Sequence, residues 1–354
     1  MKRLTLIILL LAIAMVARAY DLVVATPQGQ VLYYTITSSN TVKVVSGPTK
    51  PTGRLTIPST VQGYAVTEIA SMAFDGCTEL TSVTVPGSIS TIGMRAFAGC
   101  SALTSAFLGE GVQTIGMMVF SSCTALDTIS LPTTITQISA GCFSYTGIEN
   151  NFECWQDSML YISHYLVSSK QARTGILTVA DSTIGIANTA LQSCHITKCV
   201  LPEGLRFIGE QAFLLCSLID TVQMLDTIPP TLGDNAFQGT PSTMTILVPC
   251  GSAAAYNAAP NWNTLNIVED TCPTPAPPIS IQAAGTPMFK AAVNGNILTV
   301  SGAESQLITV TDMAGRRIYS ATCAQNDIRV ALPAKGLYIV NVGNAAPLKV
   351  SYSR

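Results

Sequence analysis

Eleven cysteines and two histidines carry the readiest chemistry in this chain. Thiols can pair as disulfides, ligate a metal or attack as nucleophiles, and an imidazole can hold a metal or move a proton. Spacing decides between these uses. Cys77, Cys100 and Cys123 stand 23 residues apart, and Cys216 fills the same slot three positions after a phenylalanine. An unpaired cysteine behaves as a small buried apolar residue, so a ladder of inward packing positions accounts for these four better than a full disulfide framework. Cys250 and Cys272 leave the ladder and bracket the end of the periodic region, and they are expected to pair. Cys194, His195 and Cys199 have the residue types of a zinc site, but not zinc-finger spacing, and ladder packing explains the two cysteines more simply. Neither His164 nor His195 sits in a triad-like pattern. Glu149, Glu153 and Asp157 could supply a carboxylate pair for glycoside hydrolysis, although solvated loop charges are the plainer reading. No phosphate loop, nucleophile elbow or His-Glu-x-x-His motif is present, and no cofactor is implied.

The elements that must position these residues follow the same period. Phe74, Phe97, Phe120 and Phe143 are spaced by 23, with Ile69, Ile92, Ile115 and Ile138 five positions ahead. A fixed period in this range predicts a solenoid whose coils stack their apolar positions into one core. Each buried Phe then contributes about 1.5–3 kcal/mol. One unit runs from Leu80 to Cys100. Val83 and Val85 alternate with Ser82 and Thr84, which predicts a short strand, and Pro86 ends it. An Ile-Gly step recurs at Ile92-Gly93, Ile115-Gly116 and Ile208-Gly209, where glycine is expected to permit a turn.

The period also marks what lies outside it. Lys2 and Arg3, an apolar run from Leu4 to Val16 and Ala17-Arg18-Ala19 predict a signal peptide over 1–19, cut between Ala19 and Tyr20. The run is short for a membrane span, and no transmembrane helix is expected in the mature chain. Residues 20–51 carry alternating stretches that predict an N-terminal β-hairpin cap. The repeats occupy 52–270, with an irregular insertion near 150–173. Residues 271–287 are rich in proline and predict a semi-rigid linker. From 288 to 354, short alternating stretches separated by turn signals predict a small all-β sandwich. With Lys2, Arg3 and Arg18 removed, 15 of the 18 basic residues remain against 20 acidic ones. No basic cluster is present, which argues against nucleic acid as a partner.

The repeat resembles the BspA-type leucine-rich repeat in its strand with following Pro, Ile-Gly step, Ala-Phe pair and Cys three positions on. Pro249-Cys-Gly-Ser, Tyr256 and Trp262 resemble that family's closing segment. The tail resembles the C-terminal sorting domain of type IX secretion cargo at Val310-Thr-Asp-Met-Ala-Gly315, Gly336-Leu-Tyr-Ile-Val340 and Lys349-Val350. The resemblances imply a mainly β chain: a leucine-rich-repeat solenoid with N- and C-terminal caps, then the sandwich. They also imply export through the type IX machinery of a Gram-negative bacterium, release or attachment at the outer-membrane surface, and contact with host or neighbouring-cell proteins.

A solenoid offers an extended surface, so binding is expected rather than catalysis. The outward strand positions are Ser82, Thr84, Ser105, Phe107, Thr128, Ser130, Lys198, Val200, Thr221 and Gln223. This concave face is hydroxyl-rich and nearly free of charge. Phe107 can anchor an interface or stack on a sugar, although one exposed Phe is also ordinary on a surface. The insertion, with Phe152, Trp155 and Tyr161, is the second candidate, because loops on a rigid scaffold often carry function. An adhesin-like protein contact, a glycan-binding module and a carboxylate-dependent glycosidase are the functions these residues allow, in that order.

Overall fold

Alternation along the long strands, broken by a bulge in some, sends one face of side chains into the core. In Leu80–Val85 the buried residues are Leu80, Val83 and Val85, while Ser82 and Thr84 stay half-exposed. The computed structural model describes residues 20–170, 173–270, 289–302, 306–313, 315–322, 327–343 and 347–352. The expected leader at 1–19, the linker at 271–287 and Cys272 lie outside the described residues. The chain falls into two compact units, the first ending at Cys272 and the second beginning at Pro273.

In the first unit the long strands stack in parallel into two sheets. One contains β1 (Gly53–Thr56), β2 (Leu80–Val85), β3 (Ser105–Leu108) and β4 (Thr128–Ser130). The other contains β5 (Thr174–Thr178), β6 (His195–Leu201), β7 (Thr221–Met224), β8 (Thr245–Val248) and β9 (Ile267–Glu269). Two-residue strands such as Thr91–Ile92, Thr114–Ile115 and Phe207–Ile208 line the opposite side of each coil. Between the two faces lies one continuous core, from Leu32 to Trp262. Within it Phe74, Phe97, Phe120 and Phe143 form a near-parallel stack with centroid spacings of 5.0, 5.5 and 6.0 Å. Leu191 takes the phenylalanine slot after the insertion, and the stack resumes at Phe213 and Phe237, 4.9 Å apart.

Both ends of the solenoid are closed. At the start, Leu22–Ala25, Val31–Ile36 and Thr41–Val45 form an antiparallel meander whose last strand pairs in parallel with Tyr64–Ile69. The Leu22–Ala25 strand is one that the sequence reading leaves out. At the end, Trp262 and Tyr256 are fully buried, and their polar tips donate to the carbonyls of Pro230 and Asp226, each at 2.8 Å. Trp262 packs on Phe237 at 6.4 Å and so terminates the aromatic stack.

The second unit pairs a three-stranded sheet (Lys290–Asn294, Ile297–Ser301, Asp327–Ala331) with a four-stranded one (Leu307–Asp312, Arg317–Thr322, Gly336–Val342, Leu348–Tyr352), all antiparallel. Leu298, Val300 and Val330 from one sheet share a core with Ile308, Val310, Val340 and Val350 from the other. That is a small all-β sandwich. Among the described residues of the chain, no helix is long and apolar enough to cross a membrane.

The Ile-Gly glycines need a different explanation from the one the sequence suggests. Gly93, Gly116, Gly209 and Gly233 do not adopt positive φ. Instead their amides donate to the preceding coil at Ile69, Ile92, Ile186 and Ile208, at 2.7–2.8 Å. A Cβ on any of them would lie within 2.3–2.8 Å of that coil's backbone nitrogens. Glycine is required by close approach, not by the turn. The left-handed positions lie elsewhere, two before and two after the phenylalanine slot. The first ladder is Met72, Arg95, Met118, Gly141, Thr189, Gln211 and Asn235. The second is Gly76, Gly99, Ser122, Tyr145, Ser193, Leu215 and Gly239.

These two kinds of glycine should respond differently to a methyl group. Gly116→Ala places a Cβ 2.8 Å from the Met94 nitrogen and should lose up to about 3 kcal/mol through overpacking. Gly99 has φ +68° and nothing nearer to a new Cβ than 3.7 Å, so Gly99→Ala should lose only about 1 kcal/mol from backbone strain. Urea unfolding of both variants tests this, and the reverse order of stabilities would refute the close-approach account.

Candidate interaction surface

Parallel, in-register pairing converts the outward positions of β1 to β4 into two rows. Arg54, Ser82, Ser105 and Thr128 form one row, and Thr56, Thr84, Phe107 and Ser130 form the other. Neighbours within a row are separated by the strand spacing of about 4.8 Å. Arg54 and the six residues named from the sequence on these strands line a hollow of about 490 Å³. Phe107 is 53% exposed, Thr128, Ser130 and Arg54 are exposed, and Ser82, Thr84 and Ser105 are half-buried. The rows offer hydroxyl donors and acceptors, one aromatic face and one guanidinium. Such groups suit recognition by hydrogen bonding and stacking.

The remaining four expected residues stand on the second sheet. Lys198 pairs with Thr221, and Val200 with Gln223. Extending these rows brings in residues that the sequence reading omits. Ile176 lies beside Lys198, Leu247 beside Gln223 and Val268 beside Leu247. Ile176 is 60% exposed and Val268 43%. The second sheet is thus the more apolar of the two. Counting could have found some of the missing residues. The insertion of about five residues before Ile69 lengthens one repeat step, and adding it to the period of 23 leads from Ser82 back to Arg54.

The insertion places its three aromatic residues differently. Thr146 caps a helical turn, α1 (Gly147–Asn150), by accepting from the Glu149 amide at 3.2 Å, and the Glu149 carboxylate reaches back to the Tyr145 amide. This is close to a capping box. A 3-10 turn (Phe152–Cys154) and the hairpin strands Trp155–Gln156 and Met159–Ile162 follow. Phe152 is 82% exposed. Trp155 is half-buried, and its indole N–H donates to the Glu149 carbonyl at 2.8 Å. Tyr161 is half-buried against the core, with its hydroxyl accepting from the Ala180 amide at 3.3 Å, so it does not share the Phe152 surface. Asp157 pairs with Arg173 at 2.7 Å. Of the three carboxylates, Glu149 serves a helix cap and Asp157 an ion pair, and Glu153 stands exposed beside Phe152.

The cysteine ladder has a polar function within the core. The thiols of Cys100, Cys123 and Cys216 donate to the carbonyls of Phe74, Phe97 and Leu191 on the preceding coil, at 3.3, 3.0 and 3.0 Å. In the fourth coil the slot holds Thr146, whose hydroxyl donates to the Phe143 carbonyl at 2.7 Å. The slot therefore takes a small side chain with one donor. Cys194 lies 3.0 Å from the Ser169 hydroxyl, Cys199 is buried, and His195 is exposed. Among the described residues no group of three His, Cys, Asp or Glu side chains is placed to hold a metal ion. Cys250 is disulfide-bonded.

The family described as BspA type leucine rich repeat region matches residues 53–171 and 155–259, in six copies. A leucine-rich repeat protein from Bacteroides capillosus is 27% identical, over 36% of this chain and 93% of its own, with a TM-score of 0.30. The leucine rich repeat protein of T. pallidum is 20% identical, over 72% of this chain and 96% of its own, with a TM-score of 0.30. The pneumococcal vaccine antigen PcpA is 14% identical, over 72% of this chain and 100% of its own, with a TM-score of 0.27. No curated protein matches the chain.

Burial pushes the thiols of Cys142 and Cys216 up to about 12, and raises Cys199 as well. At pH 8 iodoacetamide should therefore label Cys154, which is partly exposed, while these three react only after unfolding. The contribution of these three thiols to stability should be flat up to the ordinary thiol value of 9.0 and fall as the pH rises from there toward about 12. In that window the unfolded chain releases protons that the folded chain keeps. Mass mapping of labelled peptides checks the first expectation and unfolding midpoints across pH check the second. Rapid native labelling of Cys216 would overturn both.

Proposed function

We propose, from the premise that this chain belongs to the BspA-type leucine-rich-repeat family, that it is an exported surface module which contacts proteins of a host or neighbouring cell. The contact surface is the long-strand face. The observation that carries this reading is the pair of rows on β1 to β4, with Phe107 set among hydroxyls over a hollow of about 490 Å³. Its members are held by the backbone ladder of the sheet, so little ordering remains to be done on binding. Few charges need to be desolvated there, and an exposed aromatic at the centre is the kind of residue that anchors interfaces. The same residue favours a second reading, glycan binding, because an aromatic face flanked by hydroxyls suits a sugar ring.

Export is part of the proposal. The leader expected over 1–19 would carry the chain across the inner membrane. The sandwich unit resembles a sorting domain and would then direct it through the type IX machinery, to be released or held at the outer-membrane surface. Deleting 288–354 should leave the protein in the periplasm, as read by cell fractionation and surface labelling. Undiminished surface delivery of that truncation would remove the sorting role.

The contact itself is testable with the immobilised protein against panels of extracellular-matrix proteins and glycans. A protein ligand should lose roughly tenfold or more in affinity on Phe107→Ala, because a tenfold change is about 1.4 kcal/mol and an aromatic anchor commonly contributes more than that. Silence from proteins together with binding of one glycan class would favour the second reading. Protein binding that is indifferent to Phe107→Ala would move the site off this face.

A further inference from the structure

One ammonium group in the insertion is held as a bound ligand would be. Lys170 Nζ lies 4.8 Å from the centroid of the Trp155 ring and 5.4 Å from that of Phe152. Among the described residues it makes no ion pair or hydrogen bond, so the two rings are its partners. Both distances fall within the range in which an aromatic face attracts a cation.

The Trp155 ring and the backbone that carries Phe152 are held independently of the lysine. Trp155 is oriented by its indole N–H bond to the Glu149 carbonyl at 2.8 Å, and Glu149 belongs to the turn capped by Thr146. Phe152 starts a 3-10 turn that Asn151 caps by accepting from the Glu153 amide at 3.0 Å. The Lys170 main chain is anchored separately, donating to the Ser158 carbonyl at 2.9 Å and accepting from the Arg173 amide at 3.0 Å. Its side chain can therefore leave the rings while the backbone around it stays bonded. The nearby guanidinium of Arg173 is committed to Asp157 and to the carbonyls of Thr174 and Ile176, and does not compete. Glu153, next to Phe152 in sequence, is exposed.

We propose that Phe152 and Trp155 form a clamp for an organic ammonium group, such as a lysyl or methylated lysyl side chain of a partner, and that Lys170 occupies it as an internal competitor. A cation is favoured over a sugar because the pair of rings already holds one. The clamp is separate from the long-strand face, so its test does not depend on Phe107.

The test uses the full chain and Lys170→Ala, with Lys170→Gln as a second variant that keeps most of the side-chain length. Tetramethylammonium chloride is the probe, tert-butanol its neutral isostere, and Trp155 fluorescence the readout; the other tryptophan, Trp262, is fully buried. Both variants should show saturable quenching by the ammonium, about fivefold tighter than the full chain with Lys170, the factor expected for displacing a contact of about 1 kcal/mol. Adding Phe152→Ala to either variant should abolish saturation. A lysine-bearing peptide competing with the probe would identify a protein side chain as the source of the cation. Equal response with and without Lys170, equal response to tert-butanol, or no saturation in either variant would each overturn the proposal.

Discussion

Successive coils of the solenoid approach to the spacing of hydrogen-bonded strands, and every inward or lateral position must fit that distance. The backbone fixes it first. Amides at Gly93, Gly116, Gly209 and Gly233 reach the carbonyls of the coil before. Side chains then fit around it. Phenylalanine rings stack flat at 5.0–6.0 Å because a flat ring can repeat at nearly the strand spacing. A cysteine fits beside them because it is small and its S–H can satisfy a carbonyl on the neighbouring coil. The eleven cysteines look at first like redox or metal chemistry. Cys100, Cys123 and Cys216 are better understood as donors inside a close-packed stack.

The sequence makes much of this legible, and its failures are physical ones. Alternation with a proline stop marks the strands at 80–85 and 128–130, because side-chain direction in a strand is dictated by the backbone. The strand Thr174–Thr178 is missed, since it lies between the insertion and the point where the 23-residue register resumes. The left-handed ladders are invisible because the backbone demands a φ and not a residue type. Met72, Arg95, Thr189 and Asn235 have nothing else in common. Glycine is the converse case. The sequence reveals that a glycine recurs after isoleucine, yet does not distinguish a turn from a close approach, and only the neighbouring coil decides that. Of the candidate site, the six positions on β2 to β4 were readable from alternation and Arg54 from the lengthened repeat step, whereas the Lys170 contact needed the three-dimensional arrangement. A cation over two rings joins residues 152, 155 and 170 through a hairpin, with no periodic signal.

The insertion interrupts the sheets without interrupting the core. β4 and β5 are not paired, so the long-strand face is divided in two. Polar anchors bridge the break where backbone pairing stops. Leu131 donates to the Ser163 hydroxyl at 3.2 Å, Tyr165 to the Pro132 carbonyl at 2.7 Å, and Arg206 to the Thr133 carbonyl at 2.8 Å. The Asn188 amide meets the Ile138 carbonyl at 2.8 Å, which returns the later coils to the earlier stack. Such bonds satisfy groups that an open edge would otherwise leave exposed.

Division of the face has a chemical consequence. Within one sheet, pairing sets the outward side chains of successive coils side by side in a row, where neighbours interact. Across the break that coupling is absent. The first sheet presents hydroxyls around Phe107, and the second presents Ile176, Val200, Leu247 and Val268 around Lys198 and Gln223. Hydroxyl-rich and apolar rows favour different partners, the first through directed hydrogen bonds and the second through burial of apolar area. Here the same core supports both, and the loop that separates them carries exposed Phe152 and half-buried Trp155. The irregular coil thus separates two long-strand faces of different chemistry and adds an aromatic surface of its own.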